Sequence, residues 1–365
     1  MTALNETQSR RRFTVEAGLR PVALTVLAAI VIILVALPAF VGRPALQNLF
    51  FVFTMLALAQ YWNLLAGYAG LVSVGQQAFV GLGAYALFWA TLVAGIDPFL
   101  AILFGGIVAG VLALPTALIV FRLRGAYFAI GTWVAAEVFR LLLAQFKQLG
   151  GGTGTSLGPD VANALVGMSW VADAFGVRVG GARDIVVYWA ALLLLLGSLG
   201  LVYALLRSRR GLALAAIRDS ETGAESLGVD AFRTKLVVYV ATAFGTGMVG
   251  ALIYFQKARV SPDAAFSVLD WTAYVIFIVV IGGIGTLEGP IIGAIVLFFL
   301  QDYLAGLGTW YLIILGALAA VVMLVAPKGI WGYIAQRFDI ELFPTRRRIV
   351  GPGVRNGLFS ARGRR

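Results

Sequence analysis

The sequence predicts an all-α fold, a polytopic bundle of about ten transmembrane helices arranged in two related halves. Apolar residues make up 61% of the 365 residues and charged residues only 12%, with a mean hydropathy of +0.93. So little polar surface could not solvate a globule of this length. The apolar residues come in runs of about 20, which suits membrane-spanning helices rather than the alternating strands of a membrane barrel.

Eight of these runs have the length of a spanning helix. In chain order they cover residues 22–41, 45–65, 72–94, 98–121, 126–148, 184–206, 236–256 and 309–326. A further stretch, 271–304, is interrupted at 282–290 by the sequence GlyGlyIleGlyThrLeuGluGlyPro and is expected to form a helix pair or a re-entrant hairpin. One long kinked helix is the alternative for this stretch.

Lysine and arginine are concentrated in four clusters, which predicts the orientation of the chain. The clusters lie before the first span, at 122–124, at 207–235 and from residue 328 onward. They share one side of the membrane if both termini are cytoplasmic, and this requires an even number of crossings. We therefore predict ten crossings of a bacterial inner membrane, with eight crossings plus a re-entrant hairpin as the alternative. The net charge of +11 is explained by basic residues that lie in cytoplasmic segments and contact anionic lipids, so nucleic-acid binding is not expected.

This topology divides the chain into three parts. Residues 1–20 form a cytoplasmic segment, residues 21–335 form the transmembrane domain, and residues 336–365 form a basic cytoplasmic tail that is expected to be disordered. Within the transmembrane domain, residues 207–235 form a cytoplasmic loop and residues 150–183 an extracytoplasmic loop.

The absence of cysteine and histidine narrows the possible chemistry. Without thiols and imidazoles there is no disulfide, no thiolate or imidazole metal ligand and no imidazole base. The carboxylates offer no paired catalytic arrangement either. We therefore expect no catalytic residue, no metal site and no cofactor in this chain.

Two glycine-rich interruptions, at 67–85 and 282–290, occupy comparable places in the two halves of the chain. Interrupted helices in corresponding positions indicate a binding site or path where the repeats meet. Polar residues in and near these segments are candidates for lining a path: Asn63, Ser73, Gln76, Gln77, Thr286 and Glu288. Tyr127, outside both segments, is a further candidate. The alternative is that Gly75, Gly81 and Gly83 only allow helices to pack closely.

Charged residues inside the apolar spans are few. Glu137 and Arg140 lie three residues apart on one helical face, so they can neutralise each other. They form either a structural ion pair or a contact for a zwitterionic solute. Four aspartates lie near segment ends, where solvation at the membrane surface accounts for them: Asp97, Asp184, Asp270 and Asp302.

The polar loop 207–235 contains the sequence signals of a short helix outside the membrane. Asp219 or Ser220 can cap its start, Glu221 lies in its first turn, and Gly228 can end it. Ala224 and Leu227 are expected to share one face. A helix of about two turns is not stable alone, so it must dock on this protein's own bundle or on another chain.

Several motifs occur in a characteristic order over roughly residues 45–335. They include AsnLeuLeuAlaGlyTyrAlaGly (63–70), LeuArgGlyAlaTyrPheAlaIle (123–130), GlyGlyThrGlyThrSerLeu (151–157), AlaGluSerLeuGlyVal (224–229) and the 282–290 break. Together they resemble branched-chain amino acid ABC transporter permeases of the LivM type. Two positions depart from that pattern, since Gln76 stands where many members carry histidine and Ala126 where many carry an acidic residue.

The resemblance implies a permease subunit that has no ATP site of its own, and the sequence indeed lacks a phosphate-binding loop. It implies two cytoplasmic ATPase subunits that carry ATP and magnesium, a second homologous permease and an extracytoplasmic solute-binding protein. The polar helix would contact the ATPase through Arg218, Asp219, Ser220, Glu221, Ala224, Glu225, Leu227 and Gly228. The loop 150–183 would dock the binding protein through Asp160, Asp173, Arg178 and Arg183.

The implied solutes are branched-chain amino acids. A permease of the same family for urea or short-chain amides is the nearer alternative, and an ion-coupled secondary transporter is the more distant one. The latter would need a coupling acid, but Glu137 can be neutralised by Arg140 and only Glu288 remains.

Overall fold

Apolar helices form most of the computed structural model, which describes residues 14–16, 21–162, 168–308, 310–338, 343 and 348–350. After strand β1 (Thr14–Glu16), the first part of the chain contains five long helices. These are α1 (Pro21–Ala36), α2 (Arg43–Asn63), α3 (Gln76–Leu92), α4 (Pro98–Val120) and α5 (Ala126–Ala144). A 3-10 turn, Leu37–Ala39, follows α1, and a π-helical turn, Leu64–Tyr68, continues α2.

Short elements then lead to the second set of long helices. The 3-10 turns Lys147–Leu149 and Gly151–Thr153 precede β2 (Thr155–Ser156), α6 (Pro159–Ala162) and α7 (Met168–Phe175). The chain continues through α8 (Val179–Arg207), α9 (Arg209–Asp219), α10 (Glu221–Ser226), α11 (Ala231–Lys257), β3 (Arg259–Val260) and α12 (Pro262–Ala265). A π-helical turn, Leu269–Ala273, runs into α13 (Tyr274–Gly282). The chain then forms α14 (Gly289–Leu304), the 3-10 turn Ala305–Leu307, α15 (Trp310–Val325), α16 (Gly329–Phe338) and β4 (Arg348–Val350).

The described residues confirm a polytopic helical membrane bundle. Seven helical segments are long and apolar enough to cross a membrane: Arg43–Tyr68, Pro98–Val120, Ala126–Ala144, Val179–Arg207, Ala231–Lys257, Pro262–Gly282 and Trp310–Phe338. Apolar helices α1, α3 and α14 are shorter, with 16, 17 and 16 residues. Their lengths are near the lower limit for spanning, so the count of ten crossings stays a prediction.

The break at 282–290 separates two helices that fold back on each other. Gly293 of α14 lies against the backbone of Ile278 in α13, and Gly282 lies against Gly289. This is the helix pair or hairpin that the sequence predicts. A single long kinked helix, the alternative, is not what forms.

Helix α11 is the centre of the bundle, where α3 and α4 pack closely against it. A methyl group on Gly83 would overlap the carbonyl oxygen of Gly247, and one on Gly81 would overlap the ring of Phe266. A methyl group on Gly75 would overlap the carbonyl oxygen of Thr132. These three glycines therefore serve close packing, the alternative raised from the sequence.

Two regions differ from the sequence-based expectations. Helix α8 begins at Val179 rather than Asp184, and the preceding loop contains α6, α7 and strand β2, which pairs with β3 beyond the end of α11. The polar loop contains α9 as well as α10, because Ser208 caps a separate helix by accepting a hydrogen bond from the Arg210 amide at 3.2 Å.

The two terminal segments are described only in part. Helix α16 continues to Phe338, and β4 pairs with β1 so that Thr14 lies opposite Val350. Disorder of the tail 336–365 stays a prediction. Most of that tail, and most of the N-terminal segment 1–20, lies outside the described residues.

Candidate functional site

The two glycine-rich interruptions meet at one point, which we call the junction (Gly67, Asn63 and residues 285–286). The amide nitrogen of Asn63 donates to the carbonyl oxygen of Thr286 at 2.7 Å, and its amide oxygen accepts from the Gly285 amide at 2.8 Å. A methyl group on Gly67 would lie 2.6 Å from the Gly285 nitrogen. Asn63 therefore satisfies the unwound backbone of the second interruption from the end of α2.

A neighbouring glutamine, not predicted from the sequence, extends these contacts. Gln60 is fully buried, and its amide nitrogen donates to the Leu287 carbonyl at 2.8 Å. Its amide oxygen has no partner among the described residues. The signal that could have found it is its position one helical turn before Asn63, on the same face of an apolar helix.

The predicted residues of the first interruption fix the start of α3. The Trp62 indole donates to the Ser73 carbonyl at 2.8 Å, and the Gln76 amide donates to the Leu58 carbonyl at 2.9 Å. The Thr272 hydroxyl donates to the Gln77 side-chain oxygen. Ser73, Gln76 and Gln77 are all buried, so they join α2, α3 and the 269–273 turn in the interior.

The other predicted path residues lie in different surroundings. The Thr286 hydroxyl donates to the Gly283 carbonyl at 2.8 Å and accepts from the Gly289 amide at 3.1 Å, which shapes the turn between α13 and α14. Glu288 is buried and accepts a hydrogen bond from the Phe343 amide at 2.9 Å. Tyr127 is 73% exposed at the start of α5 and does not join the junction.

Arg218 connects the junction to the polar loop. It lies next to the end of α9, two residues before the Ser220 cap of α10, and its guanidinium donates to the Gly67 carbonyl at 3.2 Å. The same guanidinium lies beside Gly285. One side chain at the end of α9 therefore bonds to the first interruption and lies near the second.

Comparison with known proteins identifies the family. A family model described as "Branched-chain amino acid transport system / permease component" matches residues 45–326. The chain belongs to this family. It is 29% identical over 315 residues to the high-affinity branched-chain amino acid transport system permease protein LivM of Salmonella typhimurium, which covers 83% of this chain and 74% of that protein. LivM of Escherichia coli is 28% identical to the chain, and that match also covers 83% of this chain and 74% of that protein.

A more distant relative is the probable branched-chain amino acid transport permease protein LivH of Methanocaldococcus jannaschii. It is 24% identical over 156 residues, which is 40% of this chain and 48% of that protein. No solved structure matches the chain. The chain is therefore a multi-span permease subunit of an ABC importer in the inner membrane, in a family of transport subunits rather than enzymes.

The predicted helix of the polar loop is present in the permease as α10. The Ser220 hydroxyl accepts from the Gly223 amide at 3.1 Å, so Ser220 is the cap, whereas Asp219 is the last residue of α9. Glu221 in the first turn pairs with Lys235 at 2.6 Å. Gly228 follows with a φ of 84°, the left-handed conformation that favours glycine.

The faces of α10 differ from the prediction in one respect. Ala224 is buried against Ile217 and Ala231, but Leu227 is 84% exposed. The two do not share a buried face, because α10 ends at Ser226 and the backbone of Leu227 is no longer helical, with φ −90° and ψ 6°. The helix thus docks on the permease's own α9 and α11 and still presents Glu225 and Leu227 outward.

The predicted ion pair has a third member. Arg140 pairs with Glu137 at 2.5 Å and with Asp263 at 2.6 Å. The Arg140 side chain is 26% exposed, that of Glu137 46% and that of Asp263 84%. Arg140 thereby links α5 to α12. A surface triad of this kind fits the structural interpretation of the Glu137–Arg140 pair better than a site for solute.

The four candidate docking residues of the loop 150–183 do not form one group. Asp160, Asp173 and Arg178 are exposed. Arg183 instead turns to the end of α11, where it donates to the Phe255 carbonyl at 2.6 Å and lies over the Phe255 ring at 5.1 Å. Its guanidinium is a contact between helices, so its assignment to the docking rim does not fit its position.

The prediction that Asp184 is solvated at the membrane surface is wrong. Its carboxylate is buried, accepts from Arg43 at 2.7 Å and accepts from the Gln256 amide at 3.0 Å. It therefore joins the starts of α2 and α8 to the end of α11.

Within the described residues, no group of three or more acidic side chains could hold a metal ion.

Proposed function

We propose that this permease forms, with a second homologous permease, the path for branched-chain amino acids, and that two separate ATPase chains drive it through α10. The relatives whose names specify branched-chain amino acid transport support the solute class. An extracytoplasmic binding protein would deliver the solute to the loop 150–183, where Asp160, Asp173 and Arg178 are exposed.

One observation carries the mechanism: the hydrogen bond of Arg218, which joins the end of α9, next to α10, to the junction. Helices α9 and α10 pack on the start of α11, so a force on the exposed side of α10 reaches the bundle directly. Arg218 would transmit the same displacement to Gly67, in the π-helical turn that continues α2, and to Gly285, in the unwound segment between α13 and α14. Unwound segments change conformation at lower cost than intact helices, which makes the junction the candidate gate.

ATP-dependent closure of the ATPases would favour one position of α10 over another. A ligand or partner shifts an equilibrium only through its different affinities for the two states. Alternating access would then follow from movement of the two interruptions against each other, with Asn63 and Gln60 holding them together in the state seen here. In this proposal Ser73, Gln76, Gln77, Thr286 and Glu288 shape the path by positioning backbone rather than by presenting free side chains.

The test is reconstitution of the permease with its partner chains and measurement of ATP-dependent uptake of radiolabelled L-leucine. Leu227→Arg or Glu225→Arg should abolish co-purification of the ATPase and uptake. Leu307→Arg is the matched control, because Leu307 is also exposed and apolar but lies at the far end of α14 from the junction. Undiminished ATPase binding by both the Glu225 and the Leu227 variant would refute the proposed contact, and uptake of urea in place of L-leucine would refute the solute class.

A further inference from the structure

A cavity of about 350 Å³ opens between α2, α11, α14 and the 269–274 segment. Its walls include the aromatic residues Phe50, Phe51, Trp271 and Tyr274. Phe50 lies 13 residues before Asn63 on α2, so the cavity is about 20 Å from the junction along that helix. In the predicted orientation it lies on the extracytoplasmic side of the junction, and its volume is within the range of small-molecule sites.

The cavity contains one charge of each sign, and although the two attract each other, neither makes an ion pair with a described residue. The Lys257 ammonium lies over the ring of Trp271 at 4.7 Å and over the ring of Tyr254 at 5.1 Å. It makes no ion pair in the described part of the chain. At Asp270 the backbone amide donates to the Ser267 hydroxyl at 3.2 Å, while no described residue donates a hydrogen bond to the carboxylate.

We infer that this cavity binds the zwitterionic form of a free amino acid with an apolar side chain before it passes the junction, an inference that rests on the proposed function. Asp270 would accept hydrogen bonds from the solute's ammonium group, and Lys257 would pair with its carboxylate. The aromatic walls would receive the side chain. A zwitterion loses water around both charges when it leaves solution, and a site that supplies both opposite charges compensates for that loss.

The same arrangement rejects neutral solutes. Urea or a short-chain amide supplies no charge to Lys257 or Asp270, so it would gain none of the ionic contacts that a zwitterion makes in the cavity. The cavity thus favours amino acids over amides, the two solute classes that the sequence leaves open.

The chain has no cysteine, so one introduced thiol can report on the cavity. Gln301 lines the cavity, and its neighbour Asp302 is exposed but does not. In the reconstituted complex, L-leucine should slow alkylation of Gln301→Cys and leave alkylation of Asp302→Cys unchanged, as measured by mass spectrometry of this chain's peptides. Equal alkylation of Gln301→Cys with and without L-leucine would overturn the inference.

Two ligand analogues and two variants test the charges. The analogue 4-methylpentanoate lacks the ammonium group, and L-leucinamide lacks the carboxylate. Each should need at least about thirtyfold higher concentration than L-leucine for the same protection. Lys257→Met and Asp270→Asn, each combined with Gln301→Cys, should weaken protection by L-leucine to a similar extent. The analogue experiments use the unaltered cavity charges, so they remain decisive if a variant fails to fold.

The control for the variants is Lys147→Met, which removes one exposed positive charge away from the cavity and should leave protection by L-leucine intact. Uptake measured in the same vesicles separates the two proposals. Uptake of L-leucine without protection of Gln301→Cys would reject the cavity and keep the proposed function. An assembled, ATP-hydrolysing complex that takes up urea and not L-leucine would reject both.

Discussion

Arg218 is the residue at which the polar loop and the junction meet. Its hydrogen bond to the Gly67 carbonyl is 3.2 Å long and its side chain is exposed, so the bond contributes little to folding. Its position gives it a larger role in communication between α10 and the two interruptions. A residue of this kind is expected to affect coupling more than assembly.

Arg218→Ala should therefore reduce ATP-dependent uptake of L-leucine about tenfold while the ATPase still co-purifies, because coupling free energies between sites correspond to changes of this order. Arg210→Ala removes an exposed arginine from the same helix and should leave uptake unchanged. Both quantities are measured on the reconstituted complex. If Arg218→Ala supports normal uptake, the path of force through Gly67 is wrong.

The Arg43–Asp184 pair predicts an unequal response to loss of its two members. The Arg43 side chain is 62% exposed and that of Asp184 only 5%. Arg43→Met leaves a buried carboxylate with the Gln256 amide as a partner, and should destabilise the permease by about 2 kcal/mol. Asp184→Asn leaves an arginine that can reach solvent, and should cost about 1 kcal/mol or less.

Thermal unfolding of the purified variants in detergent checks this order. Arg43→Met should have the lower melting temperature. The reverse order would mean that the Arg43 side chain is less accessible to solvent than its position indicates.

At the scale of helices, the contact of α3 with α11 depends on Gly83. An added methyl group would overlap the Gly247 carbonyl oxygen, so Gly83→Ala must push the two helices apart. We expect a destabilisation of about 1–3 kcal/mol, measured as a lower melting temperature in detergent. Gly197→Ala in α8 is the control, because nothing lies within 4 Å of its added methyl group and alanine favours helix formation. Equal melting temperatures for the two variants would contradict the close contact.

The long apolar helices and the break between α13 and α14 could be predicted because both are local features of the sequence. Hydrophobic length fixes a spanning helix, and a run of glycines ends one. The start of α9 as a helix separate from α8 is not predicted, because its signal is a single capping serine, Ser208, inside a basic cluster that topology already explains. The prediction that Ala224 and Leu227 share a face is wrong, because α10 ends at Ser226 and helical spacing does not extend to Leu227.

At the scale of the whole molecule, residues far apart in sequence decide the roles of charged groups. Asp184 acquires a partner 141 residues away, and Arg140 acquires Asp263 at a separation of 123 residues. Asn63 likewise bonds backbone more than 220 residues distant. Spacing within one segment could nominate Asn63 and Arg140 but could not supply these partners, since they depend on how the helices are packed.

The pairing of β1 with β4 bears on the number of crossings. Thr14 lies opposite Val350, so the described parts of the two terminal segments pair with each other. A chain whose ends share one side of the membrane crosses it an even number of times, as the basic clusters also predict. Helix α10 lies on the same side in this topology, and the loop that contains α7 lies on the other.

Single cysteines read by a membrane-impermeant thiol reagent test this topology, since the chain has no thiol of its own. In sealed vesicles of known orientation, Thr14→Cys, Val350→Cys and Leu227→Cys should be labelled only from the cytoplasmic face. Asp173→Cys, exposed on α7, should be labelled only from the opposite face. Labelling of Thr14→Cys and Val350→Cys from opposite faces would require an odd number of crossings. Labelling of Leu227→Cys from the extracytoplasmic face would mean that a cytoplasmic ATPase cannot contact α10.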